Sequence, residues 1–466
     1  MSSSYQRIPC GVFDTSGNEK DAIVLYGWIV EGQLDTGRLE AAWWALAKRW
    51  PILLARLRQG WFFDIPGQNK VAALRAEEDG KAQDDKTRLF LIRDLGHTSV
   101  HDELKFHTGA DLPQDRITVE RADNNLSVWA DNSATSVAQL MREDRAQVSV
   151  QVTIFSDATT VCLSTAHVLC DGVGAKEIAE AWSKCINGRE DEVKPLDHAG
   201  TDAFRVLEVP VSEPPRPSGW RVLGWLGIVH FALYFVLDLF KRPPSKMENR
   251  YVFVPKQVVQ QLKEQALACL DDGAWVSSSD VLAAWIVRSF HADKRDDPSP
   301  LSIIYPSNLR WLDLDNVMVP LPIPYLRNAA YTVSLPEMPA SQFASHLSLG
   351  QVALLFRRTL EAQTQPEVIK RSLVWRTWSK GKTTVFFRPS SHWLVITNWR
   401  KLGMYDVDFG TGTGKVLRTW EYAFHPVPLR NSAGLIADDP TGGVWLGGYL
   451  SRKEWEINFG NSMHHV

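Results

Sequence analysis

Thr159-Thr160-Val161-Cys162-Leu163-Ser164-Thr165-Ala166-His167-Val168-Leu169-Cys170-Asp171-Gly172 is the stretch on which the fold turns. Residues 159–167 alternate in polarity, as do Gln147–Phe155 before them, with Ser156-Asp157-Ala158 between. That pattern reads as a hairpin or a pair of neighbouring strands. Gly172–Ile186 follows, with Ile178, Trp182, Cys185 and Ile186 on one helical face. A histidine therefore stands where a strand ends and a helix begins. Gly172 lets the backbone turn there, so the imidazole can project into a cleft. Imidazole is the side chain that titrates near neutrality, which suits removal of a proton from a hydroxyl. The same pattern also fits a buried, hydrogen-bonded histidine at a strand end, because short motifs recur by chance.

Around this stretch the chain reads as a mixture of strands and helices. Ala22–Val30 is an apolar strand, and Leu39, Trp43, Leu46 and Trp50 mark a helix capped by Asp35 or Thr36 and ended by Pro51. Residues 70–147 show no clear period. Residues 208–219 (EVPVSEPPRPSG) break regular structure and open a crossover. Beyond it lie a strand at Tyr251–Val254 and helices at Gln257–Ala268 and Ser279–Phe290. Further strands are predicted near Ser302–Pro306, Ala329–Val333, Val385–Pro389, Val395–Asn398 and Val444–Leu450. The order points to an α/β architecture in layers rather than a bundle or a sandwich. We place an N-terminal half at 1–207, the crossover with an apolar helix at 208–250, and a C-terminal half at 251–466.

Composition narrows the chemistry. At 466 residues and 44% hydrophobic, the chain can bury a large core without disulfides or metals. A net charge of −3, with no basic stripe, gives no footprint for nucleic acid. The five cysteines are odd in number and lack CxxC or Cys/His spacing, so no metal site is expected and a reducing compartment fits. MSSSYQRIPCGVFD lacks the apolar core of a signal peptide, and the expected location is the cytoplasm. Trp220–Phe240 is the most apolar run, long enough to span a bilayer, but His230 and Asp238 would be costly at depth. It reads as a helix that lies on a membrane surface or covers a pocket, or else as a buried crossover helix.

A second segment carries further signal. Thr397-Asn398-Trp399-Arg400 precedes Tyr405-Asp406-Val407-Asp408-Phe409-Gly410-Thr411-Gly412, a strand, a turn and a Gly-rich loop without a ligand set. The HxxxDG at His167–Gly172 and the DFGTG at Asp408–Gly412 together resemble the BAHD acyltransferase family and its fungal relatives. Trp50–Leu57, Ser277–Ala284, Asn308-Leu309-Arg310 with Tyr325–Ala329, and Gly442–Leu450 resemble other family stretches in the family's order. Two positions depart: Thr411 stands where the family has Trp, and Arg327 where Gly is usual. A condensation domain of the same fold usually reads HHxxxDG, and Ala166 replaces its first His.

The resemblance implies two pseudo-equivalent mixed-sheet domains of chloramphenicol-acetyltransferase-like type with a central channel. It implies direct acyl transfer from acyl-CoA, acetyl-CoA first, to a hydroxyl of a terpenoid, polyketide or alkaloid, with no permanently bound cofactor. His167 would be the general base. Trp399 and Thr397 would donate to the oxyanion, and Asp171 would pair with Arg310 rather than with His167. Gly172, Asp408 and Gly410 would shape the site. Ser277 and Ser279, at a helix start, could present a hydroxyl and N–H groups to a coenzyme A phosphate, although Ser279 is equally an ordinary N-cap. Cys170 reads as packing. Same-fold alternatives are amide formation, rearrangement of a bound metabolite, or a non-catalytic binding protein. A monomer is expected.

Overall fold

The computed structural model describes residues 5–15, 17, 19–123, 125–196, 202–204, 209–312, 314, 324–388, 392–410, 414–426 and 429–460. Two mixed sheets dominate. The first has five strands in the order Val416–Phe424, Ile23–Glu31, Ala158–Ala166, Val148–Phe155 and Phe90–Leu95. The second runs Ala330–Ser334, Pro300–Asn308, His392–Asn398, Ser432–Asp438, Val444–Ser451, Met247–Val254 and Thr118–Arg121, with Met338–Pro339 paired beside Pro300–Asn308. Helices cover both, so the layered α/β reading holds.

Local chemistry explains most elements. Asp35 caps Thr36–Arg49 by accepting from Arg38 N–H, and Pro51 opens a 3-10 turn that ends the helix run. Strands Val148–Phe155 and Ala158–Ala166 pair antiparallel, as the alternation predicts. Helix Gly172–Ile186 starts and ends where its apolar face does. Strands expected at Tyr251–Val254 and Val395–Asn398 begin earlier, at Met247 and His392, and two other boundaries differ for visible reasons. The N-cap placed at Ser279 sits at Ser277, because Ser277 and Asp280 form a reciprocal capping box. The strand expected at Val385–Pro389 is only Thr384–Val385, with Pro389 outside the described residues. The Phe386 and Phe387 rings that follow pack against Trp393 and Phe231 instead of extending a ladder.

The two sequence halves complete each other. Val416–Phe424, from beyond residue 251, joins the first sheet along Ile23–Glu31. Thr118–Arg121, from before residue 207, joins the second sheet along Met247–Val254. The division at 208–250 thus separates the chain but not the sheets, because each edge strand is satisfied by the other half.

The apolar run forms the helix Trp225–Lys241, none of whose 17 residues is fully buried. Gly227, Phe231, Phe235, Asp238 and Leu239 form its half-buried stripe, at spacings of three and four. Asp238 is paired: it accepts from Arg242 Nε at 2.8 Å and from the buried Arg430. No described helix is long and apolar enough to cross a membrane.

The loop after Val407 is braced on helix Gly172–Ile186. Asp408 O accepts from Ser183 Oγ at 2.7 Å, Phe409 packs on Trp28 and Trp182, and Gly410 O accepts from Arg38. Gly410 has φ +83°, and a Cβ there would lie 2.4 Å from Ile186 Cγ2. Gly410→Ala should therefore lower stability by about 1–3 kcal/mol in denaturant unfolding; an unchanged midpoint would refute this bracing role.

Candidate active site

His167 follows strand Ala158–Ala166 on a short turn. Its N–H donates to Ala22 O at 2.9 Å, and its own carbonyl accepts from Asn328 Nδ2 at 2.9 Å. The backbone is thus held from two sides. The imidazole itself makes no hydrogen bond to a described residue. It lines a cavity of about 1300 Å³ shared by both sheets. It is neither enclosed nor satisfied, which decides against the buried structural histidine.

Asp171 is engaged elsewhere. Its Oδ1 accepts from Gly174 N–H at 3.0 Å as helix cap. Its Oδ2 accepts from Arg310 Nη1 and from Ala329 N–H, each at 2.9 Å. Burial alone would raise its pKa, but the Arg310 charge and these donors overcome that and hold it below the ordinary carboxylate range. No oxygen of Asp171 bonds His167, so the geometry offers no His–Asp dyad. Arg310 reaches further, donating from Nε to Tyr325 O at 2.9 Å.

The departure at Arg327 has a physical counterpart. Its guanidinium is buried against Asp14, with Nε to Oδ2 at 2.9 Å. Asp14 also accepts from Gly11 N–H and from Asn328 Nδ2. Asp14 thereby steadies Asn328, the residue that holds the His167 carbonyl. Sequence reading missed Asp14 and Asn328, since nothing local marks a partner 313 residues away.

Strand His392–Asn398 crosses the cavity wall. Leu394 and Ile396 point into the core, while Trp393, Val395, Thr397 and Trp399 face the cavity. A Cβ on Gly172 would lie 3.3 Å from Trp399 Nε1, so the glycine leaves room for the indole beside the histidine turn. Neither the Trp399 N–H nor the Thr397 hydroxyl bonds a described residue, and both donors remain open to a ligand. Tyr26 packs tilted against Trp399, with ring centroids 5.3 Å apart.

The seven residues of this strand cover about 20 Å, so its two ends face different chemistry. Near its start, Phe231, Phe235, Phe386, Phe387 and Trp393 make an aromatic wall. Past its end, Arg400 Nη1 donates to Ser278 Oγ and Ser279 Oγ at 3.0 Å each. Lys401 also lines this end, beside the first turn of helix Ser278–Phe290. The Ser277 hydroxyl is already spent on Asp280 at 2.7 Å. Arg400 and Lys401 directly follow the Thr397–Trp399 stretch, a signal available in the sequence but not used.

Asp408 and Gly410 do not line the cavity; their part is the brace described above. Thr411 and Gly412 lie outside the described residues. Burial pushes the Cys170 thiol up to about 12, which leaves no thiolate at neutral pH. No group of three or more potential metal ligands occurs among the described residues.

Asp171→Asn keeps the shape but turns one acceptor into a donor facing a donor. It should cost about 3–5 kcal/mol of stability and lower activity with it. Because the folded pKa is depressed, the wild-type contribution is full above the ordinary carboxylate pKa and fades as pH falls through the lowered value. Urea midpoints between neutral and acid pH should therefore converge for wild type and variant; parallel midpoints would contradict the ion pair's role.

The model of the Transferase family matches residues 128–425. The acetyltransferase MAT1 of Pseudozyma antarctica is 28% identical, covering 97% of this chain and 96% of its own. The acetyltransferase MATC1 of Mycosarcoma maydis is 26% identical over 87% and 84%. Among solved structures, TRI101 of F. graminearum, complexed with coenzyme A and deoxynivalenol, superposes with a TM-score of 0.68 at 13% identity, covering 97% and 96%. Vinorine synthase gives 0.60 at 14% identity, covering 98% and 92%. The fold, the cavity at the junction of two mixed sheets and the match over 128–425 lead to one assignment: the chain belongs to the Transferase family, the BAHD-type acyltransferases that its HxxxDG and DFGTG stretches resemble.

Proposed function

We propose that this protein transfers an acyl group, acetyl first, from acyl-CoA to a hydroxyl of an apolar specialised metabolite, with His167 as general base. The observation that carries this reading is the imidazole, without a partner among the described residues, on the wall of a two-sheet cavity that has aromatic rings near one end and, near the other, Lys401 and Arg400, the latter paired with Asp438 at 2.5 Å. The acetyltransferase relatives support acetyl as the group moved.

In this scheme His167 takes the acceptor hydroxyl proton while the oxygen attacks the thioester carbon. The Trp399 indole N–H and the Thr397 hydroxyl receive the developing oxyanion. The C–S bond then breaks, and the imidazolium returns its proton to the coenzyme A sulfur. Asp171 and Gly172 shape the histidine turn, with Arg310 as the partner from the other half. Phosphates of the donor would meet Arg400, Lys401 and the first turn of helix Ser278–Phe290, whose N-terminus favours anions. Ser279 fits this role through its Arg400-bound hydroxyl; Ser277 serves it by capping the turn.

The aromatic end would hold the acceptor, and helix Trp225–Lys241 walls it. On the outer face Trp225, Leu226, Val229, Leu233 and Phe240 are all exposed. An apolar acceptor dissolved in lipid would meet this helix first, which supports contact with a membrane surface. The full chain should float with phosphatidylcholine–phosphatidylserine liposomes, and the triple variant Leu226→Glu, Val229→Glu, Leu233→Glu should not. Equal flotation would dismiss the contact.

Release of free thiol from acetyl-CoA with a panel of apolar alcohols tests the reaction. His167→Ala should lower kcat by about 10²–10⁴-fold with little change in melting temperature. Substantial single-turnover transfer by that variant would refute the general base.

A further inference from the structure

Among the titratable groups that line the cavity without a part in this scheme, Glu421 stands apart. Glu421 lies on strand Val416–Phe424, directly opposite Tyr26 in the register with Ile23–Glu31, so both side chains share one sheet face. Its backbone is pinned by Tyr251: the phenol donates to Glu421 O and accepts from Glu421 N–H, each at 3.1 Å.

The carboxyl enters a recess made by two glycines of the other sheet. Gly434 and Gly447 face each other across strands Ser432–Asp438 and Val444–Ser451. A Cβ on Gly447 would lie 2.9 Å from Glu421 Oε1, and one on Gly434 would lie 3.6 Å from it. The Gly434 position is also 3.2 Å from Thr397 Oγ1. The carboxyl and the Thr397 hydroxyl therefore stand over the same glycine.

Glu421 opens to the cavity rather than to bulk solvent, beside Tyr26, Thr397 and Tyr449. The carboxyl is half-buried and faces the cavity without a protein partner among the described residues, so a ligand hydroxyl can complete its bonding. Burial pushes its pKa up to about 7, so near neutrality it is present as carboxyl and carboxylate, able to donate or to accept. The titratable neighbours on the packed strands are Tyr26, Tyr251, Tyr422 and Tyr449, and burial raises the pKa of each, leaving them neutral donors and acceptors.

We infer that Glu421 is a specificity residue that hydrogen-bonds a second hydroxyl of the acceptor, so that this enzyme selects polyhydroxylated acceptors over simple alcohols. The inference rests on the transferase reading for the identity of the acceptor, but not for the contact itself. A site built to bond a hydroxyl discriminates against the analogue that lacks it, because its own buried polar group is then left unpaired.

The test is isothermal titration of the full chain with 1-decanol and with the isomeric decanediols that keep one hydroxyl at carbon 1. At least one diol should bind wild type about tenfold more tightly than 1-decanol. Glu421→Ala should collapse that preference, by weakening diol binding and by removing the unpaired carboxyl that 1-decanol leaves behind in wild type. Glu421→Gln, which keeps a donor and an acceptor, should retain most of it. A wild type that binds every diol no better than 1-decanol overturns the inference, as does an unchanged preference in Glu421→Ala. Turnover with acetyl-CoA is read separately. Diol preference without product from any alcohol would reject the transferase reading and leave the Glu421 contact standing.

Discussion

Asp171 holds one half of the molecule to the other through a single carboxylate. It caps helix Gly172–Ile186 through Gly174 N–H and binds Arg310 and the Ala329 amide from the opposite sequence half. A buried charge in this position is tolerable only when every acceptor site is met. The consequence is geometric: the turn that carries His167 is fixed relative to the second sheet. The Asp14–Arg327 pair does the same from the chain's N-terminal end, and through Asn328 it reaches the His167 carbonyl.

These two pairs divide the labour at the site. Carboxylates that could have partnered the imidazole are consumed in holding loops together. The imidazole, the Trp399 indole and the Thr397 hydroxyl are left without protein partners among the described residues. All three are half-buried on one cavity wall, which leaves their polar atoms accessible to a ligand.

Legibility in the sequence followed the range of the interactions. Strand Ile23–Glu31, helix Gly172–Ile186 and the hairpin between Val148 and Ala166 obey local periodicity, and their expected limits are within one or two residues. Helices Leu349–Gln363 and Pro366–Trp378 carry readable starts, a capping box at Ser348 and Pro366 in the first turn. The exchange of Val416–Phe424 and Thr118–Arg121 between sheets was not legible, because pairing across the chain leaves no local trace. At the site, motif residues such as His167 and Trp399 were readable. Glu421 was not: it sits in an ordinary alternating strand, and its isolation arises from glycines at 434 and 447 in another sheet. Arg327 reads as an anomaly until Asp14 is placed beside it.

The central claim is that the cavity brings two substrates to one imidazole at the same time, with no acyl group resting on the protein. Initial rates with acetyl-CoA and an apolar alcohol varied together test it most directly. Direct transfer predicts double-reciprocal lines that intersect. Parallel lines, the signature of an acyl-enzyme that releases coenzyme A before the alcohol binds, would contradict it.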